Sequence, residues 1–151
     1  AITCPNLMRY TYLTIDRRDD VVVDGGGTSY SDAGEIAAGS TTCTTLPAIH
    51  VPSAGGVQFL QNGNLTVIDQ LDNVMRTYAK PRFSKLIATT TFYNVQYLSD
   101  AAFEPGDRYF FASSGGGQDV FEFAYPAGGS PRRSLPYIYF PAGVAIGPTQ
   151  R

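Results

Sequence analysis

The 151 residues carry 11 Lys and Arg against 13 Asp and Glu, for a formal net charge of −2, and only 16% are charged, where an average soluble domain has about a quarter. Gly, Pro and the aromatics fill that space, with 16 Gly, 10 Pro, 10 Tyr and 9 Phe. This balance argues against a nucleic-acid groove, which needs clustered Lys and Arg, and no run approaches the ~20 apolar residues of a membrane helix.

The basic doublets are Arg17-Arg18 and Arg132-Arg133, and Asp19-Asp20 neutralises the first. The length suits one domain, and a chain of about this size buries roughly 70% of its unfolded surface. The expected organisation is a single β-rich domain over 1–151 with a C-terminal arm over 135–151. Ala1 fits either removal of an initiator Met or cleavage of a leader.

Residues 9–16 alternate Tyr10, Tyr12 and Ile15 with polar neighbours, a strand pattern. Three valines follow, ending at the loop Asp24-Gly25-Gly26-Gly27. Residues 28–56 are rich in Ser, Thr, Ala and Gly and read as long loops with one or two short strands near 49–51. Over 57–68, Asn62-Gly63 between apolar runs predicts a two-residue type I′ hairpin. Leu71, Val74, Met75 and Tyr78 stand at i, i+3, i+4 and i+7, between Asp69 as N-cap and Pro81 as stop. That spacing predicts one short amphipathic helix near 69–80.

Strands resume over 86–98, 108–113 and 120–125, with Glu104-Pro105-Gly106-Asp107 as a turn. The apolar stretch 135–147 is broken by Pro136 and Pro141, which confines it to an edge strand or an arm. Many short strands with one helix predict an all-β, mainly antiparallel fold. A β-sandwich, jelly roll or small barrel is the expected form. No internal repeat is evident.

His50 is the single histidine, so any Ser-His-Asp or Cys-His chemistry has to use it. Its place in Leu-Pro-Ala-Ile-His-Val-Pro reads instead as a strand histidine satisfied by a backbone group. Residues 24–28, Asp-Gly-Gly-Gly-Thr, resemble the first phosphate loop of the sugar-kinase and actin superfamily. That resemblance implies two large lobes, which 151 residues cannot hold, and a Gly-rich turn accounts for the string. The acidic residues Asp16, Asp19, Asp20, Asp24, Asp32 and Glu35 lack EF-hand spacing and read as solvated loop charges.

Cys4 and Cys43 form either a disulfide, closing a loop of about 40 residues worth roughly 4 kcal/mol, or two buried thiols. Tyr137, Tyr139 and Phe140 are the candidate subunit interface, since Tyr and Phe bury much area with few rotamers. No catalytic residue, metal ligand or cofactor is expected.

These features point to a non-enzymatic structural assembly protein, a virion component such as a minor capsid, cement or decoration subunit. Its partners would be copies of itself and other shell or filament subunits, without nucleic acid or membrane insertion. The alternative is an extracellular or cell-surface β-sandwich, fimbrial or carbohydrate-binding, with sugar as ligand. One N-terminal disulfide in a β-sandwich is similar to chaperone–usher pilins. Their alternating donor strand is replaced here by Ala-Ile-Thr-Cys-Pro-Asn-Leu-Met over 1–8.

Overall fold

A computed structural model describes residues 2–27, 29–136, 138–139 and 141–146. The chain is all-β and antiparallel. Twelve strands form three sheets of four, each a meander in chain order. The first contains β1 (Tyr12–Ile15), β2 (Val21–Gly26), β3 (Ser31–Ile36) and β4 (Cys43–Val51). The second contains β5 (Ala54–Phe59), β6 (Leu65–Asp69), β7 (Val74–Tyr78) and β8 (Leu86–Thr91). The third contains β9 (Leu98–Phe103), β10 (Tyr109–Ser114), β11 (Val120–Ala124) and β12 (Arg133–Leu135).

Neighbouring sheets pack face to face, as in a sandwich, and this packing occurs twice. Val22, Leu46, Ile49 and Val51 of the first sheet meet Val57, Leu65 and Val67 of the second. Ile68 and Met75 on the far side of the second meet Leu98, Phe110 and Phe123 of the third. The middle sheet is thus buried on both faces, so β6 is buried along its whole length. The first strands of the three sheets lie side by side, β1 against β5 and β5 against β9. The sheets therefore fan out from a common inner edge.

The sequence predicts a helix at 69–80, but these residues make a turn and strand β7. A strand between two apolar layers buries both faces, and Met75 enters one core while Tyr78 enters the other. That two-sided burial imitates helical spacing. Asp69 accepts the Leu71 N–H at 3.3 Å, so it closes an Asx turn of the kind that competes with helix capping. It also pairs with Arg76.

Residues 28–56, expected to be mostly loop, instead supply β3 and the nine-residue β4. Pro47 is tolerated because β4 is an edge strand, and the register with β3 jumps between Asp32↔His50 and Gly34↔Thr45. The 57–68 hairpin forms, but residues 60–64 connect its strands and Gly63 takes the positive φ of 83°.

Residues 4–7 cover part of the open face of the first sheet. Cys4, Leu7, Val23 and Cys43 form a third apolar cluster there. Cys4 and Cys43 are joined in a disulfide. A side chain at Gly34 would stand 2.5 Å from the Cys43 sulfur, so the bridge packs directly on the bare backbone of β3.

Candidate functional site

The inner edge of the fan gathers polar side chains where β1, β2, β5 and β9 converge. Asp24 sits near the end of β2 opposite Tyr12. Its Oδ1 accepts the Tyr12 N–H at 3.0 Å, and the Gly56 N–H also donates to this carboxyl. Its Oδ2 is buried and has no hydrogen-bond partner among the described residues. Asp24 is fully buried, so desolvation, with the Asp100 charge adding to it, pushes its pKa up to about 7 against the two N–H bonds.

Asp100 of β9 is the second carboxyl. Its Oδ1 accepts the Ala101 N–H at 2.8 Å and its Oδ2 accepts the Val144 N–H at 3.1 Å. Burial raises its pKa too, while those two N–H bonds oppose the rise. Burial, then the charges of Asp100 and Asp24, raises the Tyr12 hydroxyl to about 12, and a bond to the Ser99 side chain acts the other way. A cavity of about 210 Å³ opens beside this group, lined by Tyr12, Ser99, Gly115, Pro141 and Ala142. Drug-sized ligands occupy about 300–1,000 Å³, so this cavity suits a few waters or a very small molecule.

The turn end of the same inner edge holds a wider groove of about 400 Å³. Asp16, Arg17, Gln61, Glu104 and Asp107 supply its polar rim. Asp107 Oδ2 accepts the Gln61 N–H at 2.6 Å, tying the third sheet to the second. Among the described residues, no cluster of three or more His, Cys, Asp or Glu is placed to hold a metal ion.

His50 does not meet a backbone group. Its Nδ1 lies 2.7 Å from Asp32 Oδ1 across the β3–β4 ladder, and the Tyr30 ring centroid is 4.1 Å away. The sequence carries both residues, but their pairing depends on the register jump around Pro47. Of the candidate interface residues, Tyr137 and Phe140 lie outside the described residues, and Tyr139 is 75% exposed. The structure places Cys4 and Cys43 away from the inner edge, on the open face of the first sheet.

The carboxyl pair Asp24 and Asp100 was not legible in the sequence as a site. The two residues are 76 positions apart (100 − 24). The one local signal was an Asp directly after three β-branched residues, where a solvated loop charge was expected.

Radial packing of four-stranded antiparallel sheets along a shared inner edge defines the class: three blades of propeller type. No protein family and no curated protein matches the sequence. Among solved structures, hydrazine synthase of Kuenenia stuttgartiensis is similar at 12% identity and a TM-score of 0.66, over 95% of this chain and 40% of that one. Selenomethionine-substituted virginiamycin B lyase from Staphylococcus aureus is similar at 9% identity and a TM-score of 0.57, over 83% of this chain and 40% of that one. At these identities the likeness is one of fold. The chain spans about 40% of the length of each of these proteins.

Proposed function

We propose that this chain is a non-enzymatic structural assembly module that acts by stacking the end faces of its fan on further β-structure. One observation carries the reading. By register, Leu13 and Ile15 of β1 stand where β5 has Val57 and Phe59 and β9 has Ala101 and Phe103. Val57 and Ala101 are 1% and 2% exposed in the cores between sheets, whereas Leu13 and Ile15 are 59% and 55% exposed. The same strand positions carry apolar side chains in all three sheets, but the first sheet has no sheet in front of it among the described residues. Apolar side chains at such positions gain about 25 cal/mol per Å² once covered.

The low charge of the chain favours association in the same direction. A virion shell, with this chain as a minor capsid, cement or decoration subunit, is the setting this reading favours. The Cys4–Cys43 bridge favours a second one, an extracellular or cell-surface β-domain assembled where disulfides persist.

Light scattering after size exclusion, with electron micrographs of the same fraction, tests the assembly role. Defined oligomers or particles, lost in Leu13→Asp/Ile15→Asp, are the expected result. A monodisperse monomer at all accessible concentrations overturns it.

A further inference from the structure

The end of the fan at the third sheet differs from the end at the first: residues 141–146 run along its inner edge, at Asp100 of β9, whereas residues 4–7 lie over Val23 and Cys43 of the first. We infer that residues 141–146 are the innermost strand of a fourth blade. The open face of the β9–β12 sheet is then the seat of that blade, whose other three strands form an antiparallel sheet presented to it. The inference rests on the sheet-stacking reading, at one end of the fan, and specifies what stacks there.

Three observations carry it. The first is a repeat revealed by register. Phe59 pairs with Leu65 and Phe103 with Phe110 at the closing ends of two equivalent hairpins. This aligns Gly56-Val57-Gln58-Phe59 with Asp100-Ala101-Ala102-Phe103, and residues 143–146 read Gly-Val-Ala-Ile. Pro148 and Arg151 follow Ile146 at the offsets at which Pro105 and Arg108 follow Phe103.

The second observation is position. Asp100 stands between the two glycines that align with it. A Cβ on Gly56 would lie 2.9 Å from its Oδ1, and one on Gly143 would lie 3.4 Å from its Oδ2. The Val144 N–H bonds to that same Oδ2. Val144 and Ile146 are half-buried while Gly143 and Ala145 are exposed, the period-two pattern of a strand with one face covered.

The third observation is the face itself. Val22, Thr66 and Phe111 occupy one register position in β2, β6 and β10, opposite Thr14, Gln58 and Ala102. Val22 and Thr66 are buried at 0% and 1% exposure. Phe111 is only half-buried and lines an open cavity of about 250 Å³ with Val120, Glu122, Arg133 and Leu135. A second copy of this chain is a poorer occupant. Its first sheet already has four strands, so seating it there would displace residues 141–146.

The test appends a copy of residues 109–135, which contain β10 to β12, directly after Arg151. This keeps the spacing, because Arg151 follows Ile146 in sequence by as many residues as Arg108 follows Phe103. The expected product is a folded chain with a higher unfolding midpoint than the parent. Amides of 143–146 gain at least about tenfold in exchange protection. Phe111→Asp, whose own cost in the parent is measured alongside because its carboxylate would stand opposite Glu122, cancels the gain in the extended chain.

An unchanged midpoint with the added strands exchanging as coil overturns the inference, and so does a gain that Phe111→Asp leaves intact. Appending residues 65–91 instead keeps the same offset. Insolubility of both extended chains beside a soluble parent also overturns it. The mass of the parent alone decides the assembly reading, so the two fail separately.

Discussion

Asp24→Asn is the substitution that most directly tests the polar inner edge. Asp24 is fully buried, and its carboxyl titrates at about 7 in the folded chain against 3.8 ordinarily. Its folded pKa is raised, so the folded state holds a proton that the unfolded state releases between about pH 4 and 7. Across that window the unfolded state binds fewer protons, and stability falls as pH rises. About three pH units at about 1.4 kcal/mol each set an upper bound near 4 kcal/mol, a large fraction of the 5–15 kcal/mol of an ordinary domain.

Asn keeps an acceptor for the Tyr12 and Gly56 N–H groups and cannot ionise. The stability difference between variant and parent is therefore near zero below pH 4. It grows in favour of Asn to as much as ~4 kcal/mol at pH 7, then levels off. Urea unfolding at half-unit steps from pH 4 to 8 measures it. Asp100 influences the same titration, so the apparent midpoint belongs to the pair, and Asp100→Asn should move it downward. A pH-independent difference, or a parent more stable than Asn at pH 8, refutes the reasoning. Either result means that the carboxylate is ionised and paired in the fold.

Three further outcomes follow from the packing. Cys4→Ser/Cys43→Ser opens a 39-residue separation and should destabilise the chain by roughly 4 kcal/mol in the chain-entropy picture. Thermal unfolding of the parent with and without reductant should reproduce that loss. Phe110→Ala removes a fully buried ring packed at 5.2–5.3 Å from Phe92, Phe103 and Phe123. It should cost about 3–5 kcal/mol in denaturant unfolding. Leu13→Asp/Ile15→Asp should change the stability of the isolated chain by less than about 1 kcal/mol, and a larger loss would mean that these residues belong to its own core.

The antiparallel all-β class was legible along the chain because β-branched and aromatic runs alternate between turn residues. Strands β1, β10 and β11, the valines of β2 and the turn at Glu104–Asp107 follow from such local pattern, whereas Asp24–Gly26, expected as loop, continue β2 because they pair with Ser31–Ala33 of β3. Local pattern failed at β7, where burial on two faces looks helical. It failed also at β3 and β4, whose Ser, Thr and Gly are held by ladder bonds rather than by strand preference. The repeat is not legible in the sequence because only its second and fourth positions stay apolar, while Gly56 aligns with Asp100 and Gln58 with Ala102. Gly56 and Asp100 become equivalent only once Phe59 and Phe103 are placed by their partners.

The sequence by itself determined that the chain would form short antiparallel strands, carry little charge, and place two cysteines where an N-terminal bridge was one option. Those properties depend on side-chain chemistry and near neighbours. Only the tertiary structure decided that the strands group in fours, that Asp24 and Asp100 share a desolvated inner edge, and that Leu13, Ile15 and Phe111 face outward. Each of these depends on which distant strand packs alongside. A position that is core in one sheet stands exposed in the next when no further sheet among the described residues covers it.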